Sequence, residues 1–405
     1  MTNNFIPFAL PCIGEEEINS VVKTMRSGWL TTGPKTREFE EAFAKFVGAN
    51  YALAVNSATA GLHLSLEAAG VGLDDIVLTP VWTFTATAEV SRYLGAHPVF
   101  VDIERDSLNI DVALLEKRII EIQKSHPNKL KAIIPVHFAG QACNINTIVE
   151  LAKKYNLTII EDAAHSLPST VKTIAVDNQD LKERTIGNVG HITVFSFYAT
   201  KTVVTGEGGM VTTNDEAVAN RIKLMRLHGI NRDVWNRYNS EKPAWYYEVV
   251  EPGYKYNLTD IASAIGLEQL TKANKLQKIR QSIAERYNQA FYDNDLIEIP
   301  KVSEGNLTHA WHLYVVKLNL NKLRINREDF IRRMAEEGVG CSVHFIPLHL
   351  QPYWKNKYQL KTSNFPVASK EYDRVVSLPI YPSMNNIQVD TVISAMKAVL
   401  IENSI

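Results

Sequence analysis

An α/β fold is predicted, a mostly parallel sheet wrapped by helices and followed by a smaller α+β unit. Three observations carry it. Short apolar runs alternate with amphipathic stretches through the first two thirds of the 405 residues, the pattern of strand–helix units. Several of those runs end in turns of small or polar residues that lead straight into a helical pattern. After about residue 270 the pattern changes to alternating strands such as Trp311–Leu318 (WHLYVVKL), separated by single helices. The division is placed at 1–270 for the large domain, N-terminal segment included, and 271–405 for the small one.

In chain order, residues 1–13 read as extended. Gly14-Glu15-Glu16-Glu17 opens a helix to about Met25, with acids in its first turn and an apolar face of Ile18, Val21, Val22 and Met25. The Thr31-Thr32-Gly33-Pro34 loop leads into a second helix that turns Phe39, Phe43 and Phe46 inward, Pro34 suiting its start. The two threonines either cap that helix or hold a substrate. Tyr51–Val55 is a strand, Asn56–Gly61 a turn, and Leu62, Leu66 and Ala69 repeat at helical spacing. Asp75–Thr79 and Val99–Asp102 are strands with a helix between them, and Asp111–Lys124 is helical. Ala132–Val136 is a buried strand, Ile148–Tyr155 a helix and Leu157–Ile160 a strand.

Residues 166–192 show little hydrophobic pattern and read as an irregular loop. Thr193–Phe197 and Met210–Thr213 are strands and Asp215–Leu227 is a helix. Residues 229–250, rich in Trp, Tyr and Arg, form a long loop of the kind that serves function or an interface between subunits. Helices start at Thr259-Asp260 and again near Asn274. Arg327–Gly338 is helical, and Val339–Phe345 and Val375–Pro379 are strands.

Composition excludes several classes. With 45% hydrophobic and 21% charged residues and a net charge of −1, the chain gives no electrostatic case for nucleic acid or an anionic membrane. Its three cysteines, Cys12, Cys143 and Cys341, have no metal-ligand spacing, so no metal is expected and a reducing compartment is. The first residues, MTNNFIPFALPCIG, lack a basic region and are broken by prolines. No stretch is apolar enough to span a bilayer. A cytoplasmic location is the expectation.

The chemistry centres on Ser196–Met210, SFYATKTVVTGEGGM. Lys201 follows a strand and precedes a glycine-rich turn, where backbone bends tightly or approaches a ligand. A lone lysine there is usually solvated; held between strands, it suits a Schiff base to an aldehyde cofactor. Three other stretches supply the rest of such a site. Asp162, at a strand end in Glu161-Asp162-Ala163-Ala164-His165, can cap a helix or pair with a protonated pyridine nitrogen. His165 can contact the cofactor's ring oxygen or position Asp162. The turn holding Ser57 and Thr59 is a plain helix cap or a phosphate cradle. Either Trp82 or Phe84, at a strand end where α/β folds place ligands, can stack on the ring. Arg232, Arg237, Lys255, His312 and His344 are basic groups that can meet an anionic ligand, and Thr31 and Thr32 can hold a substrate.

Taken together, SGWLTTGPKTREFEEAF, VNSATAGLHLSL, TPVWTFTATAEV, EDAAH, SFYATK with TGEGG, GYKYNLTDIASAIGLEQL, WHLYVV and VHFIPLH resemble the DegT/DnrJ/EryC1/StrS family of sugar aminotransferases over nearly the whole chain. The similarity is greatest to members of the UDP-4-amino-4-deoxy-arabinose type. The resemblance implies a fold-type I fold with a mainly parallel seven-stranded sheet, and a homodimer with shared active sites. It implies pyridoxal 5'-phosphate as cofactor and a nucleotide-linked 4-keto sugar as substrate, with L-glutamate as amino donor. By resemblance Lys201 holds the cofactor as a Schiff base and Asp162 binds its pyridine nitrogen. His165 faces the ring oxygen and Phe84 stacks on the ring. Ser57, Ala58, Thr59 and Ser196 match the phosphate contacts. Many members read G-[FY]-N-Y-R where this chain has Gly253-Tyr254-Lys255-Tyr256-Asn257. Either Lys255 or Asn257 then reaches the neighbouring subunit's phosphate. Amination at C3 and a non-catalytic regulator are the alternatives. A dehydratase of the same fold would replace Lys201, typically with histidine.

Overall fold

The computed structural model describes residues 5–177, 180–231 and 245–405. Two helices, α1 (Glu15–Ser27) and α2 (Pro34–Val47), lead into a run of strands and helices: β1 (Tyr51–Val55), α3 (Ala58–Ala68), β2 (Ile76–Pro80), α4 (Ala86–Tyr93), β3 (His97–Val101), α5 (Val112–Ser125), β4 (Leu130–Ile133), α6 (Ile145–Tyr155) and β5 (Thr158–Asp162). After β6 (Thr170–Thr173) and β7 (Lys182–Thr185) come β8 (Ile192–Ser196), β9 (Gly209–Thr213) and α7 (Glu216–Met225).

Seven strands form one sheet in the order β1-β9-β8-β5-β4-β2-β3. The pairs from β8 to β3 are parallel. Only β9 runs against its neighbours, so the carboxyl ends of β1, β2, β5 and β8 share one edge with the start of β9. Helices cover both faces, which is why the strands are apolar throughout rather than alternating. Side chains of α2, α5 and α6 pack one face. Those of α3 and α7 pack the other. Phe43 of α2 sits between Phe195 and Phe197, with ring centroids 5.0 and 5.7 Å away.

The helix expected in two pieces is one, α8 (Asp260–Phe291), of 32 residues. The expected 270/271 division falls inside it. Leu270 and Ala273 belong to the core under the large sheet, whereas Ile283, Ala284, Tyr287 and Phe291 belong to a second core. That second core holds a three-stranded sheet, β10 (Ile297–Glu298), β12 (Tyr314–Leu318) and β13 (Val375–Leu378), with helices α9 (Arg327–Glu336) and α12 (Asn386–Glu402). Between them lie β11 (Asn306–Thr308), α10 (Pro352–Tyr358) and α11 (Pro366–Tyr372).

Four local expectations are corrected. Residues 166–192 contain β6 and β7, which form a small sheet with β11. Each is four residues or fewer, too short to show a period, and β11 is remote in sequence. Val339–Phe345 is not a strand: its backbone pairs with Ile6 through Val339 and with Ser377 through Ser342, as isolated bridges. The apolar stripe of α1 is not its buried face. Ile18 and Met25 are 47% and 57% exposed, while Glu17 is buried and bonded to Lys272 and Gln269 of α8. Lastly, neither Thr31 nor Thr32 caps α2. The carboxylate of Asp260 accepts the N–H groups of Gly33 (2.7 Å) and Thr36 (2.9 Å), satisfying donors that a helix start leaves free.

Phe43→Ala empties the middle of the phenylalanine cluster and is expected to cost about 3–5 kcal/mol. Urea unfolding followed by circular dichroism should show the large-domain transition at markedly lower denaturant.

Candidate active site

At the shared strand edge lies a cavity of about 390 Å³. The turn after β1 brings Ser57, Ala58 and Thr59 to its wall. Ser57 is the N-cap of α3, its Oγ accepting the Ala60 N–H at 3.1 Å. The cap therefore forms, and the first turn of α3 still presents N–H groups and the positive end of its dipole. The start of β9 presses on this turn. A Cβ on Gly209 would lie 2.8 Å from the Ala58 nitrogen and the Phe195 oxygen, so only glycine fits there.

The end of β5 supplies Asp162, which is 7% exposed. Its Oδ2 accepts from Thr87 Oγ1 at 2.8 Å and its Oδ1 from the Ala164 N–H at 3.2 Å. Burial raises the pKa of this carboxyl; the two donors, Lys201 and His137 oppose the rise. Lys201 lies just past β8 in a tight turn, its N–H bonded to the Tyr198 carbonyl. Desolvation brings its amine down to about 8, against the upward pull of Asp162. Ser196, at the end of β8, lines the same cavity and its Oγ accepts the Tyr198 N–H.

Three histidines close the cavity. His165 Nδ1 accepts the Ala139 N–H at 3.3 Å, which leaves Nε2 as its N–H donor. His312 stands with its ring centroid 4.3 Å from that of His165. Its Nδ1 is buried and has no hydrogen-bond partner among the described residues. His344 Nδ1 lies 3.0 Å from Ser377 Oγ. Burial, reinforced by the Lys201 charge, holds His344 down to about 4 and the other two well below the ordinary histidine value. All three are neutral near pH 7.

The two aromatics stand in different surroundings. Trp82 is fully buried against Phe138, whereas Phe84 is 59% exposed and lines the cavity. Thr31, Thr32, Lys255 and Asn257 do not line it. Thr32 Oγ1 accepts from Asn257 Nδ2 at 2.6 Å and donates to the Leu258 carbonyl at 2.5 Å, which commits that hydroxyl's one proton within the chain. Lys255 is exposed. Arg232 and Arg237 lie outside the described residues. Sequence reasoning missed Thr87, Tyr198, Glu207 and Phe345. Only Thr87 carried a signal, its spacing of four from Thr83 in the bend before α4, and their hydroxyls are 2.6 Å apart.

The model of the DegT/DnrJ/EryC1/StrS aminotransferase family matches residues 11–397. The chain belongs to that family. Among relatives of this aminotransferase, a spore coat polysaccharide biosynthesis protein of Bacillus subtilis is 44% identical, over 98% of both chains. A UDP-4-amino-4-deoxy-L-arabinose–oxoglutarate aminotransferase of Shewanella sediminis is 35% identical, over 99% of both. Among solved structures, a putative sugar aminotransferase of Streptococcus pneumoniae in its PMP-form superposes with TM-score 0.87 at 32% identity, over 98% of this chain and 99% of that one. Its PLP-form gives 0.86. The fold expectation thus holds, and the chain is a pyridoxal-phosphate-dependent sugar aminotransferase.

The aminotransferase's residues fit that cofactor. A buried carboxyl with two neutral donors and no ion-pair partner among the described residues suits a protonated ring nitrogen, an exposed Phe84 offers a face, and α3 offers a phosphate its N-terminus. Among the described residues no group of three or more His, Cys, Asp and Glu is arranged to hold a metal ion, and no helix is long and apolar enough to cross a membrane.

In cofactor-free protein, trapping of pyridoxal phosphate on Lys201 with borohydride should rise with a pH midpoint near 8. Asp162→Asn should move the midpoint to lower pH, since the carboxylate raises the amine's pKa. Peptide mass spectrometry of the trapped adduct reads both.

Proposed function

We propose that this aminotransferase moves the amino group of L-glutamate onto C4 of a nucleotide-linked 4-keto sugar, releasing a 4-amino sugar and 2-oxoglutarate. The observation that carries the reading is the pairing, in one cavity, of a desolvated lysine and a buried carboxyl beside a helix N-terminus. In support, one relative's name joins a UDP-linked 4-amino sugar with oxoglutarate, the keto acid of glutamate. Another is named for polysaccharide biosynthesis.

The residues take the following roles in this reading. Asp162 holds the pyridine nitrogen, its carboxylate fixed by Thr87 and Ala164. Ser57, Ala58, Thr59 and Ser196 hold the phosphate. Phe84 covers one ring face, and His165 offers its Nε2–H to the ring oxygen. Bound there, pyridoxal phosphate supplies an electron-accepting ring that acidifies the carbon bearing the amino group. Lys201 Nζ, half neutral near pH 8, takes the proton from that carbon and passes it to the cofactor carbon that holds the amino group. His312, buried, and His344, half-buried, are both neutral and donate or accept hydrogen bonds with the sugar rather than pairing with its phosphates. Arg232, exposed Lys255 and the N–H groups are left to meet negative charge. The protein works in this reading as a cytoplasmic homodimer, whose second copy covers the exposed Ile18 and Met25 of α1 and receives Lys255. Asn257, tied to Thr32, stays within its own chain. Residues 1–270 bind the cofactor and 271–405 form the small domain, with α8 common to both.

Lys201→Ala should abolish the yellow colour of the loaded protein and lower turnover by about 10²–10⁴-fold or more. Full activity in that variant ends the proposal. A panel of UDP-, dTDP- and GDP-linked 3-keto and 4-keto sugars, read by product mass, should show amination at C4. Products aminated at C3 overturn the regiochemistry.

A further inference from the structure

Ahead of α1, residues 6–12 form a strap that is pinned at both ends. At one end Ile6 is buried in the small domain's core. Its N–H donates to the Gly338 carbonyl at 2.7 Å, and its carbonyl accepts the Gly340 N–H at 2.8 Å. A Cβ on Gly340 would lie 3.2 Å from the Ile6 oxygen, the Phe8 nitrogen and the Phe5 ring, so strap and turn are closely fitted. At the other end the Cys12 carbonyl accepts from Gln269 Nε2 of α8 at 2.8 Å. Pro7 and Pro11 restrict the backbone between these anchors.

Between the anchors, the Phe8 ring lies against the His344 imidazole, with centroids 5.2 Å and planes 28° apart. His344 lines the Lys201 cavity and Phe8 does not. Two further contacts bear on the same imidazole. Phe345 meets it edge-on, with ring centroids 5.2 Å apart. Ser377 Oγ lies 3.0 Å from its Nδ1. Ser377 is itself fully buried on β13, its N–H and carbonyl both bonded to Ser342. A ring with one face covered and one nitrogen engaged is held in a single orientation. Nε2 is then the nitrogen left to an occupant of the cavity.

We propose that the N-terminal strap is part of the active site and that Phe8 is a positioning residue for His344, an inference that rests on the sugar contact proposed above for that histidine. Ser377 fixes the turn of the imidazole within its plane, and Phe8 fixes the plane. Together they hold Nε2 ready for the keto sugar. Phe8 lies outside the cavity, so it acts on the sugar only through the histidine. The donor half of the reaction does not use His344 in this reading, and Phe8 leaves it untouched.

The test uses the pyridoxal-phosphate-loaded full chain as wild type, Phe8→Leu, Phe8→Tyr, His344→Ala and the double variant Phe8→Leu with His344→Ala. Leucine keeps apolar packing but removes the flat ring. The two half-reactions are followed separately: bleaching of the yellow enzyme by L-glutamate, and return of the colour when the amine form meets a nucleotide-linked keto sugar. Phe8→Leu should raise the sugar concentration for half-maximal recolouring about three- to tenfold, with glutamate bleaching at the wild-type rate. Phe8→Tyr should restore it. In the His344→Ala chain Phe8→Leu should add nothing, because residues that act through one contact are not additive. If His344→Ala weakens the sugar and Phe8→Leu does not, the positioning role is overturned while the function stands. If Phe8→Leu slows both half-reactions alike, or its effect adds in full to that of His344→Ala, Phe8 is merely structural and the inference falls. If His344→Ala leaves half-saturation by the sugar unchanged, the sugar contact falls and the positioning role with it, while amino transfer stands. If no keto sugar restores the colour, the function itself falls and the inference with it.

Discussion

A carboxyl and an amine share one cavity, and each alters the charge of the other. Water's exclusion pushes Asp162 toward its neutral acid and Lys201 toward its neutral amine, while their mutual attraction pulls both back toward ions. The balance leaves the amine near the middle of its titration close to pH 8, where it can both accept and release a proton. Remote in sequence, the two groups meet only because β5 and β8 are parallel neighbours. The sheet order is therefore the condition for the chemistry.

Behind Asp162 the strand is anchored on its other face. Glu161 is fully buried, and its carboxylate accepts from His137 Nε2 at 2.8 Å, the Gly190 N–H at 2.7 Å and Thr193 Oγ1 at 2.8 Å. The His137 N–H in turn donates to the Asp162 carbonyl at 3.1 Å. A buried carboxylate so fully satisfied holds its backbone in place, because any shift strands a charge. Successive residues of one strand thus divide the work: Glu161 secures the framework and Asp162 faces the cavity.

Much of this was legible in the sequence because it is written locally. Lys201 beside its glycine-rich turn, Asp162 at a strand end and Ser57 before a helix each show as a short pattern of strand, turn and helix. What did not show is what depends on distant partners. The capping of α2 by Asp260 joins segments more than 220 positions apart. Thr32 looked available until Asn257 and Leu258 took up its hydroxyl. The polar docking of α1 reverses the usual rule because α8 offers Gln269 and Lys272 rather than an apolar groove. Phe84 and Trp82 are equivalent as letters, and only the packing of Phe138 separates them.

The uninterrupted α8 has a consequence for how such a chain can be altered. At about 1.5 Å per residue, its 32 residues form a rod of about 48 Å whose first turns seal the large sheet's core and whose last turns seal the small one's. Neither lobe owns it. The two are consequently not exchangeable cassettes: a chimera joined at 270 would bring a foreign Ala273 into the large sheet's core, and one joined at 292 would leave the recipient's Tyr287 and Phe291 to fit a stranger's interior. Recombination that respects the molecule has to carry the rod together with both surfaces that it closes.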